Sequence, residues 1–261
     1  MLTSSQKENL EFWSLCRVPM FIFGLISQIL IFGAIGFLQP TMALHLKSYE
    51  GFETFWIGLF FSTPAITYIL GSLLLSLYLK YIGRRGVIFI AFILLVTSCF
   101  FIGTSPLLRL KDTPNYIITG LCLVGFAASA ITIPVLPEML DQIVIKYPNL
   151  KDNVELNDAC SGYFNGCLGI GEAIGPIISS VLVASMGFRT ACDVFALTVF
   201  VYTLFYFIFN GRHEMLYPDA KQEEAVEQLE TQYITTSISD DFKKLENEEL
   251  NENFNLRVLK R

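Results

Sequence analysis

The chain is short of charge. Only 16% of its 261 residues are Asp, Glu, Lys or Arg, while 53% are hydrophobic. A soluble domain carries about a quarter charged residues, so this balance excludes an ordinary water-soluble fold and assigns much of the apolar surface to lipid. Histidine is nearly missing, with only His45 and His213. The span count below puts these two on opposite faces of a membrane, which leaves no His pair to ligate a metal or to serve as a catalytic base. No G-x-S-x-G, H-E-x-x-H or phosphate-cradling glycine loop occurs, so neither an enzyme nor a cofactor or metal site is expected. A basic surplus is also lacking. The net charge is −6, which argues against nucleic-acid binding, where a basic stripe must neutralise phosphates. The six cysteines are scattered with no C-x-x-C pair, which excludes a disulfide scaffold.

Long apolar runs are what the chain does have. A helix needs about 20 mostly apolar residues to cross the hydrocarbon core. Six such runs are present, at residues 19–44, 54–79, 86–108, 113–137, 159–187 and 190–211, the fifth interrupted by Glu172 and the sixth holding Asp193 near its start. The runs are continuous, without the in/out alternation of a barrel wall, so an all-α, polytopic membrane protein with six transmembrane helices is predicted. Three segments follow: an N-terminal piece (1–18), the six-helix bundle (19–211) and a tail (212–261). The tail holds seven basic and twelve acidic residues and so carries nearly all of the net charge. With no apolar face large enough to fold alone, it is expected to be a solvated, unstructured extension.

Orientation follows from Lys and Arg near the span ends. One side carries Arg17, Lys80, Arg84, Arg85, Lys146, Lys151 and Arg212; the other carries Lys47, Arg109, Lys111 and Arg189. Both termini are therefore expected on the cytoplasmic side.

Within the spans, glycine, proline and a few acids stand out. The fifth reads G-Y-F-N-G-C-L-G-I-G-E-A-I-G-P, placing Gly162, Gly166, Gly169, Gly171 and Gly175 before Pro176. Small residues three and four apart let two helix backbones approach closely in lipid, and the proline removes one backbone hydrogen bond. That spacing serves a static crossing and a moving seal equally well. Glu172, about 20 Å into its run, is the clearest intramembrane ionisable group, and such residues face a cavity, a partner or a substrate path. The fourth run ends I-P-V-L-P-E-M-L-D, with Glu138 and Asp141 near a membrane edge; hydration also explains Asp141, while helix tilt decides whether water reaches Glu138. Between the second and third runs lies the basic turn Gly83-Arg84-Arg85, whose guanidinium groups can anchor to phosphates, cap carbonyls or pair with an acidic helix.

The turn S-L-Y-L-K-Y-I-G-R-R resembles the G-x-x-x-D-R-x-G-R-R loop of the major facilitator superfamily. Gly83, Arg84 and Arg85 match it, while Ser76, Lys80 and Tyr81 depart, a decay commoner in the second half of such proteins. The stretch G-I-G-E-A-I-G-P-I-I-S-S is similar to the family's antiporter-type G-x-x-x-G-P-x-x-G-G, matching at Gly171, Gly175 and Pro176 with serines at 179 and 180. The stretches F-F-I-G-T-S-P-L-L-R-L (100–110), I-P-V-L-P-E (133–138) and E-F-W-S-L-C-R-V-P (11–19) resemble the vesicular amine transporter group, especially its polyamine-transporter-like branch. Asp141 falls where the monoamine branch keeps an acid, and Asn165 stands where that branch has a second one.

The resemblance implies one half of a major facilitator bundle, the C-terminal one. It implies proton-coupled antiport of a small organic cation, an amine or polyamine, by alternating access in a vesicle or other endomembrane. Glu138, Asp141, Glu172 and Asn165 become the candidate substrate and proton sites. The implied partners are the substrate cation, protons, the bilayer and a missing N-terminal half or second six-helix bundle. The alternative is a non-transporting assembly protein or an inactive fragment of a twelve-helix transporter.

Overall fold

The computed structural model describes residues 12–49, 53–79, 83–151 and 153–210. Among these residues the fold is entirely helical. After one helical turn at Phe12–Leu15 come six long helices: α1 (Pro19–Leu46), α2 (Thr54–Tyr78), α3 (Arg84–Ile102), α4 (Pro114–Lys146), α5 (Val154–Met186) and α6 (Phe188–Asn210). All six are long and apolar enough to cross a membrane. The expected tail at 212–261 lies outside the described residues, as do the first eleven residues of the N-terminal segment.

Local chemistry sets the helix ends. Pro19 and Pro114 open α1 and α4 at positions where a missing N–H costs nothing. Asn153 caps α5 by accepting a 2.8 Å hydrogen bond from the Glu155 amide, and Gly187, at φ +80°, ends it. Three boundaries differ from the sequence expectation by several residues. Pro134 and Pro137 do not stop α4, which runs nine residues further to Lys146. Helix α5 begins at Val154 rather than near residue 159, so it is about 50 Å long. Conversely, α3 stops at Ile102, and residues 103–113 form a compact loop.

Burial is uneven. Helix α1 is central, packing on α4, α5 and α6, and α3 is wedged between α4 and α6. Their shared interior holds Phe21, Ile31, Phe37, Met42, Phe92, Leu95, Ile117 and Ile131, all nearly inaccessible. Helices α2 and α5 lie outermost: α2 rests mainly on α4 and α5 mainly on α1. Only 22% of the most apolar stretch of each is buried, against 61% for α1, so these two helices present the bundle's uncovered faces.

Candidate functional site

At the end where α1 begins, the basic turn meets the acids of α4. Gly83 leads into α3, and Arg84 and Arg85 occupy its first turn. Cations there oppose the helix dipole, which disfavours them unless an anion is close. Helix α4 supplies two. Arg85 Nε donates to Glu138 Oε1 at 2.7 Å, and Arg84 pairs with Asp141. Both members of the Arg85–Glu138 pair are largely buried, with side chains 15% and 8% exposed, and Gln142 adds a 3.4 Å contact to the same carboxylate oxygen. Glu138 and Asp141 are thus neutralised by the basic turn, which pins α3 to α4. The acids that look like a membrane edge in sequence are compensated by a neighbouring helix, and α4 continues past its prolines to Lys146.

Mid-bundle, α1 and α5 cross at glycines. A Cβ on Gly171 would lie 2.7 Å from the Ile29 carbonyl oxygen and 2.9 Å from the Gly33 amide nitrogen. One on Gly175 would lie 2.5 Å from the Gly33 carbonyl oxygen and 2.9 Å from the Phe37 amide. From the other side, a Cβ on Gly36 would meet the Glu172 carbonyl oxygen and Pro176 Cδ, each at 3.1 Å. Four glycines therefore bring two backbones into direct contact, as small residues do in lipid. The partner pair Gly33 and Gly36 was missed in the sequence, although the G-A-I-G spacing was its signal. Gly162, Gly166 and Gly169 belong to a different surface, because a Cβ on any of them would meet nothing within 4 Å.

Glu172 sits at this crossing by its backbone but points away from it. It lies eighteen residues into α5, about 27 Å from the helix start, and is exposed on the bundle's own surface. Asn165, also exposed, is seven residues earlier and shares that face about 10 Å away, with Gly169 between them. The four candidate residues do not form one site. Met139, beside Glu138, packs against Gly24, whereas Glu172 lies at Gly36. Twelve residues of α1, about 18 Å, separate the two levels.

The opposite end carries a polar knot that the sequence did not reveal. Asp112 accepts hydrogen bonds from Tyr49 and from Thr104 Oγ1, the latter at 3.0 Å, and lies 3.4 Å from His45 Nε2. Arg189 donates from Nε to the Thr104 carbonyl at 3.1 Å and from Nη2 to the Leu110 carbonyl at 2.9 Å. The His45 ring stacks on Phe188 at 4.5 Å. Thr104 and Arg109 adopt φ of +41° and +54°, a left-handed conformation costly for non-glycine residues; Thr104 is held there by its bonds to Asp112 and Arg189, and the Arg109 amide donates to the Pro106 carbonyl at 3.1 Å. Partial burial works to raise the Asp112 pKa, but the hydrogen bonds from Tyr49 and Thr104 and the charges of His45 and Arg189 outweigh it and bring the pKa below the ordinary value. No group of three or more His, Cys, Asp or Glu among the described residues is placed to hold a metal ion.

The architecture, six apolar helices with two left uncovered, fits one half of a major facilitator superfamily bundle. Comparison with curated proteins finds relatives that carry that family's name. The chain is similar to the rat protein named MFS-type transporter SLC18B1, with 29% identity over 189 residues, 70% of this chain and 40% of the rat protein. The mouse protein of the same name is 29% identical over 186 residues, covering 69% of this chain and 39% of its own. The human one is 26% identical over 188 residues, covering 70% and 40%. The chain is a homologue of these transporters and spans about 40% of their length. No family model matches it.

Proposed function

We propose that this chain is one bundle of a secondary active transporter that exchanges protons for a small organic cation, an amine or polyamine, by alternating access. The similarity to MFS-type transporters supports membrane transport as the general activity. The observation that carries the finer reading is the open face of α5. Glu172 stands there near mid-helix, on the face it shares with Asn165 about 10 Å away, and Gly162, Gly166 and Gly169 of the same helix are uncontacted. A carboxylate at that depth against lipid is costly, whereas against a second bundle or a water-filled path it is a proton or cation site. Glu138 and Asp141, tied to Arg85 and Arg84, fit a role in holding the bundle shut at one end. In this reading that end is cytoplasmic, both termini share it, and the membrane is that of a vesicle or other endomembrane.

Because α2 and α5 are uncovered, transport requires a second six-helix bundle. Uptake of labelled amine into proteoliposomes with an acidic interior tests this. The chain co-reconstituted with the six-helix N-terminal half of the rat relative is expected to accumulate amine, and the chain alone is expected to be inert. Robust gradient-driven uptake by the chain alone contradicts the half-bundle reading. If neither Glu172→Gln nor Glu138→Gln alters the pH dependence of uptake, the assignment of coupling sites is wrong.

A further inference from the structure

Helices α1 and α2 are consecutive yet barely touch; α4 bridges them. The space between them is a cavity of about 500 Å³, within the size range of small-molecule sites. Its walls include Phe32 and Gln39 of α1, Phe61 and Tyr68 of α2, and Val124 and Ala128 of α4. The gap is held open by construction. Gly125 lets α4 close directly onto the Pro64 carbonyl and Thr67 of α2, and Gly71 does the same against Ser129, so α2 is clamped to α4 and leaves α1 at a distance.

The chemistry of this wall is selective. It contains no Asp, Glu, Lys, Arg or His. The nearest acid along α4, Glu138, is ten residues beyond Ala128, about 15 Å away, and is engaged by Arg85. Glu172 lies on α5, which contributes nothing to the wall. The polar groups present are neutral: the Gln39 amide, on a residue that is also exposed on the bundle's own surface, and the hydroxyl of half-buried Tyr68, neither of which hydrogen-bonds another described residue. A lipid chain filling the cavity leaves both groups unsatisfied in hydrocarbon, which is unfavourable. A polyamine, charged along its length, brings several cations against a wall with no counter-charge, which is worse. A ligand with a flat apolar body and one hydrogen-bonding group satisfies the whole wall: phenyl and phenol faces for the body, Gln39 and Tyr68 for the polar group.

We propose that the α1/α2/α4 cavity binds the uncharged, planar apolar body of an amphipathic ligand, through Phe32, Phe61, Tyr68 and Gln39, and that ligand charge is not read here. This substrate class rests on the transport reading above, but its test needs no transport. Saturable binding of tritiated tryptamine to the purified full chain in phosphatidylcholine nanodiscs is measured with two competitors. The neutral 3-methylindole is expected to displace tryptamine at concentrations within about tenfold of unlabelled tryptamine, and spermidine is expected to leave it bound at hundredfold excess. Tyr68→Phe, which keeps the ring, is expected to weaken tryptamine roughly fivefold to tenfold through the lost hydrogen bond. Ala65→Trp, which fills the cavity from an exposed lining position, is expected to abolish binding while the protein keeps its elution profile and unfolding temperature. Spermidine competing as well as 3-methylindole overturns the proposal. So does tryptamine binding that ignores both substitutions, or no saturable binding at all, the result expected of a cavity filled by an acyl chain. None of these outcomes bears on proton coupling, which the uptake assay decides.

Discussion

Gly175→Ala isolates the contact on which the bundle's outer helix depends. Placed at Gly175, a methyl group lies 2.5 Å from the Gly33 carbonyl oxygen and 2.9 Å from the Phe37 amide nitrogen, both backbone atoms that cannot rotate away. Ordinary contact begins near 3.4 Å, so α1 and α5 must separate by about 0.9 Å. A radial gap of about 0.5–1 Å forfeits a quarter to a half of the dispersion well at every atom pair along the crossing, and overpacking of this kind typically costs about 1–3 kcal/mol. Against this stands the gain from replacing glycine in a helix, about 0.5–1 kcal/mol. The net expectation is destabilisation by about 1–2 kcal/mol. Gly169→Ala is the internal control, because its methyl group meets nothing within 4 Å and only the helix gain remains. Thermal unfolding of the purified chain, followed with a thiol-reactive dye reporting exposure of buried Cys160, Cys99 and Cys192, compares the two. Gly175→Ala should unfold at lower temperature than wild type and Gly169→Ala at the same or higher temperature. Equal stability of the two variants refutes the assignment of Gly175 to the α1–α5 crossing.

The two ion pairs should behave unequally. Arg85→Ala leaves Glu138 buried without its partner and should destabilise by about 3–5 kcal/mol, whereas Arg84→Ala, in a pair with side chains 34% and 40% exposed, should cost no more than about 1 kcal/mol; double-mutant cycles on unfolding measure both. Asp112 binds a proton less readily when folded than when unfolded. Its stabilising contribution is therefore complete above the ordinary carboxylate range and lost as pH falls through its lowered pKa. Asp112→Asn should flatten the acid limb of an unfolding-against-pH profile, and an unchanged limb contradicts the hydrogen-bond pattern. Cysteine introduced at exposed Ser48 and at exposed Lys151, on a background cleared of other thiols, should react with an impermeant maleimide from opposite faces of sealed vesicles. Labelling from one face contradicts the six-span topology.

Much of the scaffold was readable from local chemistry, because a membrane span is a local property: length and apolarity suffice, and all six runs became helices. The errors arose where a distant residue alters local logic. Glu138 and Asp141 mark a helix end in linear sequence, but Arg85 and Arg84, more than fifty residues earlier, neutralise them within a helix that runs on to Lys146. The glycines of α5 signalled close packing. Which of them packs depends on the angular position of α1, and only Gly171 and Gly175 face it. The knot around Asp112 joins the end of α1, the α3–α4 loop and the start of α6, three segments with no shared sequence pattern. The cavity was least legible of all, being defined by two consecutive helices that stay apart.

Proton movement through Glu172 is tested most directly by recording proton flux and amine uptake together in proteoliposomes holding the assembled two-bundle transporter, started at an acidic interior. The account predicts that wild type releases protons in fixed ratio to amine taken up. Glu172→Gln should abolish that release while amine exchange without a gradient persists. Proton release in Glu172→Gln at the wild-type ratio contradicts it.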